Sequence, residues 1–206
     1  MKNILVPTDF SEDSMNAVTY ALELLKNSPC NFYLLHVNDL SGISGTLGEV
    51  IGSNTGDVIT KVKCNTLAVP MMASFRKLEE IAFPTDYNIF YSAKILSAIS
   101  DLLETNNAYM RVMHASKSGQ LLTESQVQNK EYLKDYLNET FEKKNSFHFI
   151  TNKNVIAAVQ CFVESRNIDL LVMVAKNLNF LQQIVFSSEV EKISFHTKVP
   201  FLVIHD

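Results

Sequence analysis

Ile4-Leu5-Val6-Pro7-Thr8-Asp9-Phe10 recurs as Ile81-Ala82-Phe83-Pro84-Thr85-Asp86-Tyr87, at an offset of 77. Each copy is a short apolar run that stops at Pro-Thr-Asp, the pattern of a buried strand entering a turn. A helical pattern follows each. In the first copy Ser11 is placed to cap it, and Met15, Val18, Leu22 and Leu25 share one face. In the second, a helix is predicted from about Ile89 to Leu103, with Ala93, Leu96, Ile99 and Leu103 on its inner side.

A second strand follows in both copies, Phe32-Tyr33-Leu34-Leu35-His36-Val37 matching Met110-Arg111-Val112-Met113-His114-Ala115 at an offset of 78. The far ends match too. Ser53–Val69 aligns with Ser188–Ile204, now at an offset of 135, so the second copy holds about 57 residues that the first lacks. Those residues read as helix (123–142), strand (147–150), helix (154–165) and strand (168–174), with Val127, Leu133, Leu137 and Phe141 on one side of the first helix. Strands alternating with helices imply an α/β fold, a doubly wound parallel sheet of five strands covered on both faces. The expected organisation is two tandem copies, an internally truncated one over residues 1–70 and a complete one over residues 71–206.

The chain has 206 residues, 47% hydrophobic and 19% charged, which suits packed globular domains. Its formal charge of −4 argues against nucleic acid as the main partner. No apolar run approaches the ~20 residues of a membrane helix, and the opening stretch is too short in apolar residues for a signal peptide. Cys30, Cys64 and Cys161 lie far apart, with no ligand spacing to a histidine, so no metal site and a cytoplasmic location are expected.

In doubly wound sheets, ligands sit at the carboxyl ends of strands, where strand order reverses. Asp9 or Asp86, at such ends, would accept hydrogen bonds from a ribose or an amine, or else would cap the following helix, the commoner role. Five of the six glycines (Gly42, Gly45, Gly48, Gly52, Gly56) fall within fifteen residues. Gly52-Ser53-Asn54-Thr55 suits backbone that wraps a phosphate, and a flexible bridge is the other reading. The matching stretch of the second copy, Asn177 to Ser188, has no glycine and carries Leu178, Phe180 and Phe186, so that copy is expected to bind no triphosphate. His36 and His114 read as core or sheet-end histidines. No nucleophile elbow or metal carboxylate is present, and turnover chemistry is not expected.

Taken together, Ile4–Ser11, Leu35-His36-Val37, the loop from Gly42 to Thr55 and the closing strands Leu67-Ala68-Val69 and Phe201–Ile204 resemble the universal stress protein family in its tandem form. The resemblance implies a Rossmann-like sheet of the adenine-nucleotide α-hydrolase type, a stress-response regulatory role, and an adenine nucleotide (Mg-ATP) as ligand. Pro7, Thr8, Asp9 and Val37 would flank adenosine. Gly42, Gly45, Gly52, Ser53 and Asn54 would hold the phosphates through the latter part of the family's Gly-x2-Gly-x9-Gly-Ser/Thr loop. The opening glycine of that loop falls on Asp39, whose carboxylate would repel phosphate. The family also pairs its last strands, within one chain in tandem forms; with one copy shortened, a homodimer through exposed sheet surface is expected. The alternative role is a structural, partner-binding module that acts through its dimer surface without nucleotide.

Overall fold

A computed structural model of the chain describes residues 2–8, 10–35, 63–70, 72–117, 120–176 and 198–206. The elements in order are β1 (Lys2–Pro7), α1 (Glu12–Leu25), β2 (Cys30–Leu35), β3 (Thr66–Ala68), β4 (Glu80–Pro84), α2 (Ala93–Asn106), β5 (Tyr109–Ser116), α3 (Glu124–Thr140), β6 (Asn145–Thr151), α4 (Val155–Ser165), β7 (Leu170–Val174) and β8 (Phe201–Ile204). Strands β1 and β2 form a parallel two-stranded sheet, and the other six form one sheet in the order β3-β8-β7-β4-β5-β6.

The large sheet is parallel from β8 to β6, and β4 is its first strand in sequence, flanked by β5 on one side and β7 on the other. That reversal of direction is the doubly wound pattern, with the switch point between β4 and β7. Every residue of β7 is buried, as expected of a central strand covered on both faces. One face carries Ile81, Phe83, Met110 and Val112 under Ile95, Leu96, Ile99 and Leu103 of α2 and Leu133 and Leu137 of α3. The other carries Ala82, Met113, Ala115, Leu171 and Met173 under Ala158, Val159, Phe162 and Val163 of α4.

The sixth strand comes from early in the chain. β3 adds antiparallel to β8, with Leu67 opposite Leu202, and His205 N–H donates to Asn65 Oδ1 at 2.9 Å. The pairing of last strands within one chain, implied by the resemblance, is what is found. It turns the expected five-stranded sheet into one of six.

Helix ends follow their capping residues. Ser11, Ser92, Thr123 and Asn154 each accept a backbone N–H of the following first turn, and Thr123 with Gln126 makes a capping box. Strand β6 runs over Asn145–Thr151 rather than 147–150 and β2 over Cys30–Leu35 rather than from Phe32, and two further boundaries and one face differ from the sequence expectation. Helix α2 starts at Ala93 rather than near Ile89, because Tyr87, Ile89 and Tyr91 are drawn into the core ahead of it. Strand β7 starts at Leu170, not Ile168. In α1 the buried residues are Val18, Tyr20 and Ala21, while Met15 and Leu22 are exposed. The helix turns that side toward the segment before β4. Asn16 Nδ2 donates to Ala73 O at 2.8 Å, and the Tyr20 and Phe75 rings meet edge to face at 5.2 Å. Among the described residues no helix is long and apolar enough to cross a membrane.

Candidate functional site

The Pro-Thr turn ends a strand for a simple reason. Proline has no N–H to give the ladder, and the threonine hydroxyl can accept a backbone N–H two residues on. At the end of β1, Thr8 N–H donates to Leu35 O at 2.8 Å, the last bond to β2. Thr8 Oγ1 accepts from Phe10 N–H at 3.0 Å and shares a hydrogen bond with Ser14 Oγ at 2.9 Å. At the end of β4 the same bonds recur. Thr85 N–H donates to Met113 O at 2.9 Å, and Thr85 Oγ1 accepts from Tyr87 N–H at 3.0 Å and pairs with the Tyr91 hydroxyl at 2.8 Å. Phe10 and Tyr87 both adopt left-handed backbone, φ 61° and 59°, a strained state for an aromatic that these bonds enforce. The 77-residue repeat therefore extends to individual hydrogen bonds.

The two turns differ in what closes them. Ser14 reaches the threonine hydroxyl with a two-atom side chain, where Tyr91 does so with a phenol ring. At β4, Tyr91 packs against Phe83 at 6.0 Å, and Tyr87 stacks on His114 at 5.2 Å, which in turn lies 4.6 Å from Phe149. Helix α3 ties the plug down, Gln126 Nε2 donating to Asp86 O at 2.7 Å and Asn129 Nδ2 to Tyr87 O at 2.9 Å. Tyr87 is 1% exposed, while Phe10, its counterpart, is 59% exposed. The end of β4 is closed by aromatics, whereas among the described residues at the end of β1 Pro7, Phe10 and Leu35 are exposed.

Next to the plug, Lys176 Nζ lies 2.9 Å from the Asp206 carboxylate, which also accepts from Ser92 Oγ. The Ser92 hydroxyl and then Lys176 hold Asp206 below the usual carboxylate range. A carboxylate already occupies the cation and the cap at this crevice.

Of the residues expected at a site, Pro7 and Thr8 stand at the carboxyl end of β1. Asp9, Val37, Gly42, Gly45, Gly52, Ser53 and Asn54 lie outside the described residues, as do His36 and Leu178, Phe180 and Phe186. Asp86 does not cap α2. Its carboxylate accepts from Asn88 N–H at 3.0 Å and Asn88 Nδ2 at 2.7 Å, shaping the turn, while Ser92 caps the helix. Among the described residues no group of His, Cys, Asp and Glu is placed to hold a metal ion. The plug itself escaped sequence reading. Its signal was Tyr91 standing 77 residues after Ser14.

His114 is a buried sheet-end histidine, its Nδ1–H donating to Thr85 O at 2.8 Å. Burial pulls its pKa below the ordinary 6.5, and on β6 burial, then Arg166 and Arg111, do the same to His148. Both groups bind protons more readily in the unfolded chain. Stability is then full above about pH 6.5 and falls as pH drops below that toward the folded-state pKa values. The urea midpoint is expected to be lower at pH 5.0 than at pH 7.5, with a smaller difference in His114→Asn, whose amide keeps the bond to Thr85. Equal midpoints would contradict this.

Comparison with known proteins agrees with this architecture. A model of the universal stress protein family matches residues 1–47. No curated protein sequence matches the chain. A universal stress protein structure from Archaeoglobus fulgidus superposes with a TM-score of 0.65 at 12% identity, covering 98% of this chain and 96% of the other. A universal stress protein from the same organism solved with dAMP gives 0.43 at 12% identity over 63% of this chain and 98% of its own. One from Pseudomonas aeruginosa gives 0.48 at 12% identity over 98% and 81%. The mostly parallel sheet, its switch point and its flanking helices give this chain the universal stress protein fold.

Proposed function

We propose that the chain is a cytoplasmic protein of the universal stress type, an abbreviated copy (1–70) followed by a complete one (71–206). In this reading it binds an adenine nucleotide, Mg-ATP, at the abbreviated copy and does not turn it over. The contrast between the two strand ends carries this reading: among the described residues no aromatic plugs the turn after β1, while Tyr87, Tyr91 and His114 fill the one after β4. Pro7 and Thr8 would line the adenosine with Asp9 and Val37, and Gly42, Gly45, Gly52, Ser53 and Asn54 would take the phosphates. The family match over residues 1–47 falls on the same half.

Titration calorimetry with Mg-ATP tests it. Binding at Kd on the order of 10 μM is expected, weakened at least ~10-fold in Ser14→Tyr, which imports the plug, and in Gly52→Val. No phosphate release above background should accompany it. Failure to bind at millimolar Mg-ATP would overturn the nucleotide reading. The scaffold reading would then stand, favoured by the apolar side chains exposed on β1 and β2. Self-association through that surface, the homodimer expected from sequence, is read by sedimentation.

A further inference from the structure

A line of polar side chains crosses three strands of the large sheet and ends on helix α4. Arg111 of β5 makes a two-point pair with Glu80 of β4, Nε to Oε2 at 2.6 Å and Nη2 to Oε1 at 2.8 Å. Its remaining nitrogen, Nη1, donates to Ser146 Oγ of β6 at 3.1 Å. Ser146 Oγ lies 2.8 Å from Nε2 of His148, two residues along β6 and on the same face of the strand. On the far side of the ring, His148 Nδ1 faces Arg166 Nη2 at 3.5 Å. Phe162 of α4 meets the imidazole edge to face at 5.1 Å, and Arg166, one helical turn further on, lies over the Phe162 ring at 4.3 Å.

The order of donors and acceptors selects the protonation state that this line accepts. A guanidinium only donates and a carboxylate only accepts, whereas a neutral imidazole has one N–H and one lone pair. Arg166 offers a donor to Nδ1, so the lone pair is there and Nε2–H donates to Ser146 Oγ. A second proton has only Nδ1 to go to. There it meets the Arg166 N–H and adds a positive charge beside two guanidiniums. Glu80, the carboxylate of the line, already accepts from two nitrogens of Arg111. Among the described residues the charged groups around the ring are therefore Arg111 of β5, with Glu80 of β4 behind it, and Arg166 at the end of α4.

We propose that His148 is a proton-operated latch between β6 and the carboxyl end of α4, closed while the ring is neutral and opened by a proton on Nδ1. Strand β6 is the outermost of the six described strands on its side of the sheet. Burial first, then Arg166 and Arg111, keep the His148 pKa below the ordinary 6.5. The latch is thus fully closed above about pH 6.5 and opens as pH falls through the lower folded-state value. Opening drives Arg166 off the ring, and the last turn of α4 loses this side-chain hold on β6. Backbone bonds then close the helix end, Asn167 N–H to Glu164 O at 3.4 Å and Ile168 N–H to Val163 O at 3.1 Å, with Asn167 at φ 49°. The change is local to that end, and it is independent of nucleotide binding.

Hydrogen exchange on the full chain tests it, with protection factors corrected for the intrinsic effect of pH. From pH 7.5 to pH 5.0, amides of residues 162–168 are expected to lose protection by about 5–10-fold, while those of residues 95–103 in α2 change less than about twofold. His148→Gln, which reaches Ser146 without a titrating ring, and Arg166→Gln, at an exposed position, should each cut the local loss to below about twofold. In Arg166→Gln the His148 titration, followed by the imidazole proton signals in NMR, should also move up in pH. Arg166→Gln decides the matter by itself should His148→Gln fail to fold. Undiminished protection of residues 162–168 at pH 5.0 would overturn the proposal, as would an equal loss over residues 95–103, which is global unfolding. A full-sized local loss in either folded variant, or an unmoved His148 titration in Arg166→Gln, would do the same.

Discussion

Replacing Phe162 by alanine is expected to lower the unfolding free energy by about 3–5 kcal/mol, the range for an aromatic deleted from a packed core. Phe162 is fully buried at the centre of α4, among Ala82, Met113, Val159 and Leu171. Its ring edge meets His148 at 5.1 Å, and the Arg166 guanidinium stands 4.3 Å above it. Ala82, Met113, His148 and Leu171 are held by strands and cannot close the gap, so a cavity adds to the lost burial. For a chain of this size the midpoint of thermal unfolding should fall by roughly 10 °C. Cys161, adjacent but exposed, provides the contrast, Cys161→Ala shifting the midpoint by no more than about 1–2 °C. A loss below ~1 kcal/mol in Phe162→Ala would mean that α4 is loosely seated.

Most of the sheet was legible because its signals are local. The apolar runs at Ile4–Pro7, Ile81–Pro84 and Leu170–Val174 are each bounded by a breaker or a polar turn, and the internal repeat ordered them without further assumption. What escaped was set by tertiary contact. Asp86 and Ser92 are both competent caps, and only the burial of Tyr87, Ile89 and Tyr91 selects the second. Met15 and Leu22 lie on a helical face that reads as inward. The side that α1 buries is decided instead by where Asn16 and Tyr20 meet the segment before β4.

The candidate site shows the same division. The Pro-Thr turns were visible at both strand ends, and their hydrogen bonds agree across the repeat. The aromatic closure of the second was not visible. It depends on His114 from β5, Phe149 from β6 and Gln126 and Asn129 from α3 converging on Tyr87 and Asp86. Aromatic residues in strands and helices read as core, and only topology brings them to a strand's carboxyl end.

Asp169→Ala should destabilise the protein by about 2–4 kcal/mol, because a buried carboxylate there serves three donors at once. One oxygen accepts the backbone N–H groups of Glu79 and Glu80 at 2.9 and 3.0 Å, and the other lies 2.6 Å from Arg76 Nε. Asp169 sits just before β7 and is 8% exposed, so it holds the entry of β4 against the entry of its neighbour in the sheet. Alanine leaves two amide donors without their acceptor. Arg76 is largely exposed and is rehydrated, so the loss stays short of that for a fully buried ion pair. Asp169→Asn separates the terms: its amide oxygen still accepts from one or both backbone N–H groups, while the charge and the acceptor facing Arg76 Nε are gone. The expected order of urea midpoints is therefore native, then asparagine, then alanine. Near the same junction, burial first and the Asp169 charge second push the Tyr20 phenol up to about 12. Loss of Asp169 should bring the Tyr20 titration down, followed by ultraviolet absorbance at alkaline pH. An alanine variant as stable as the native chain would mean that the β4–β7 ladder holds the two strand entries together without this carboxylate.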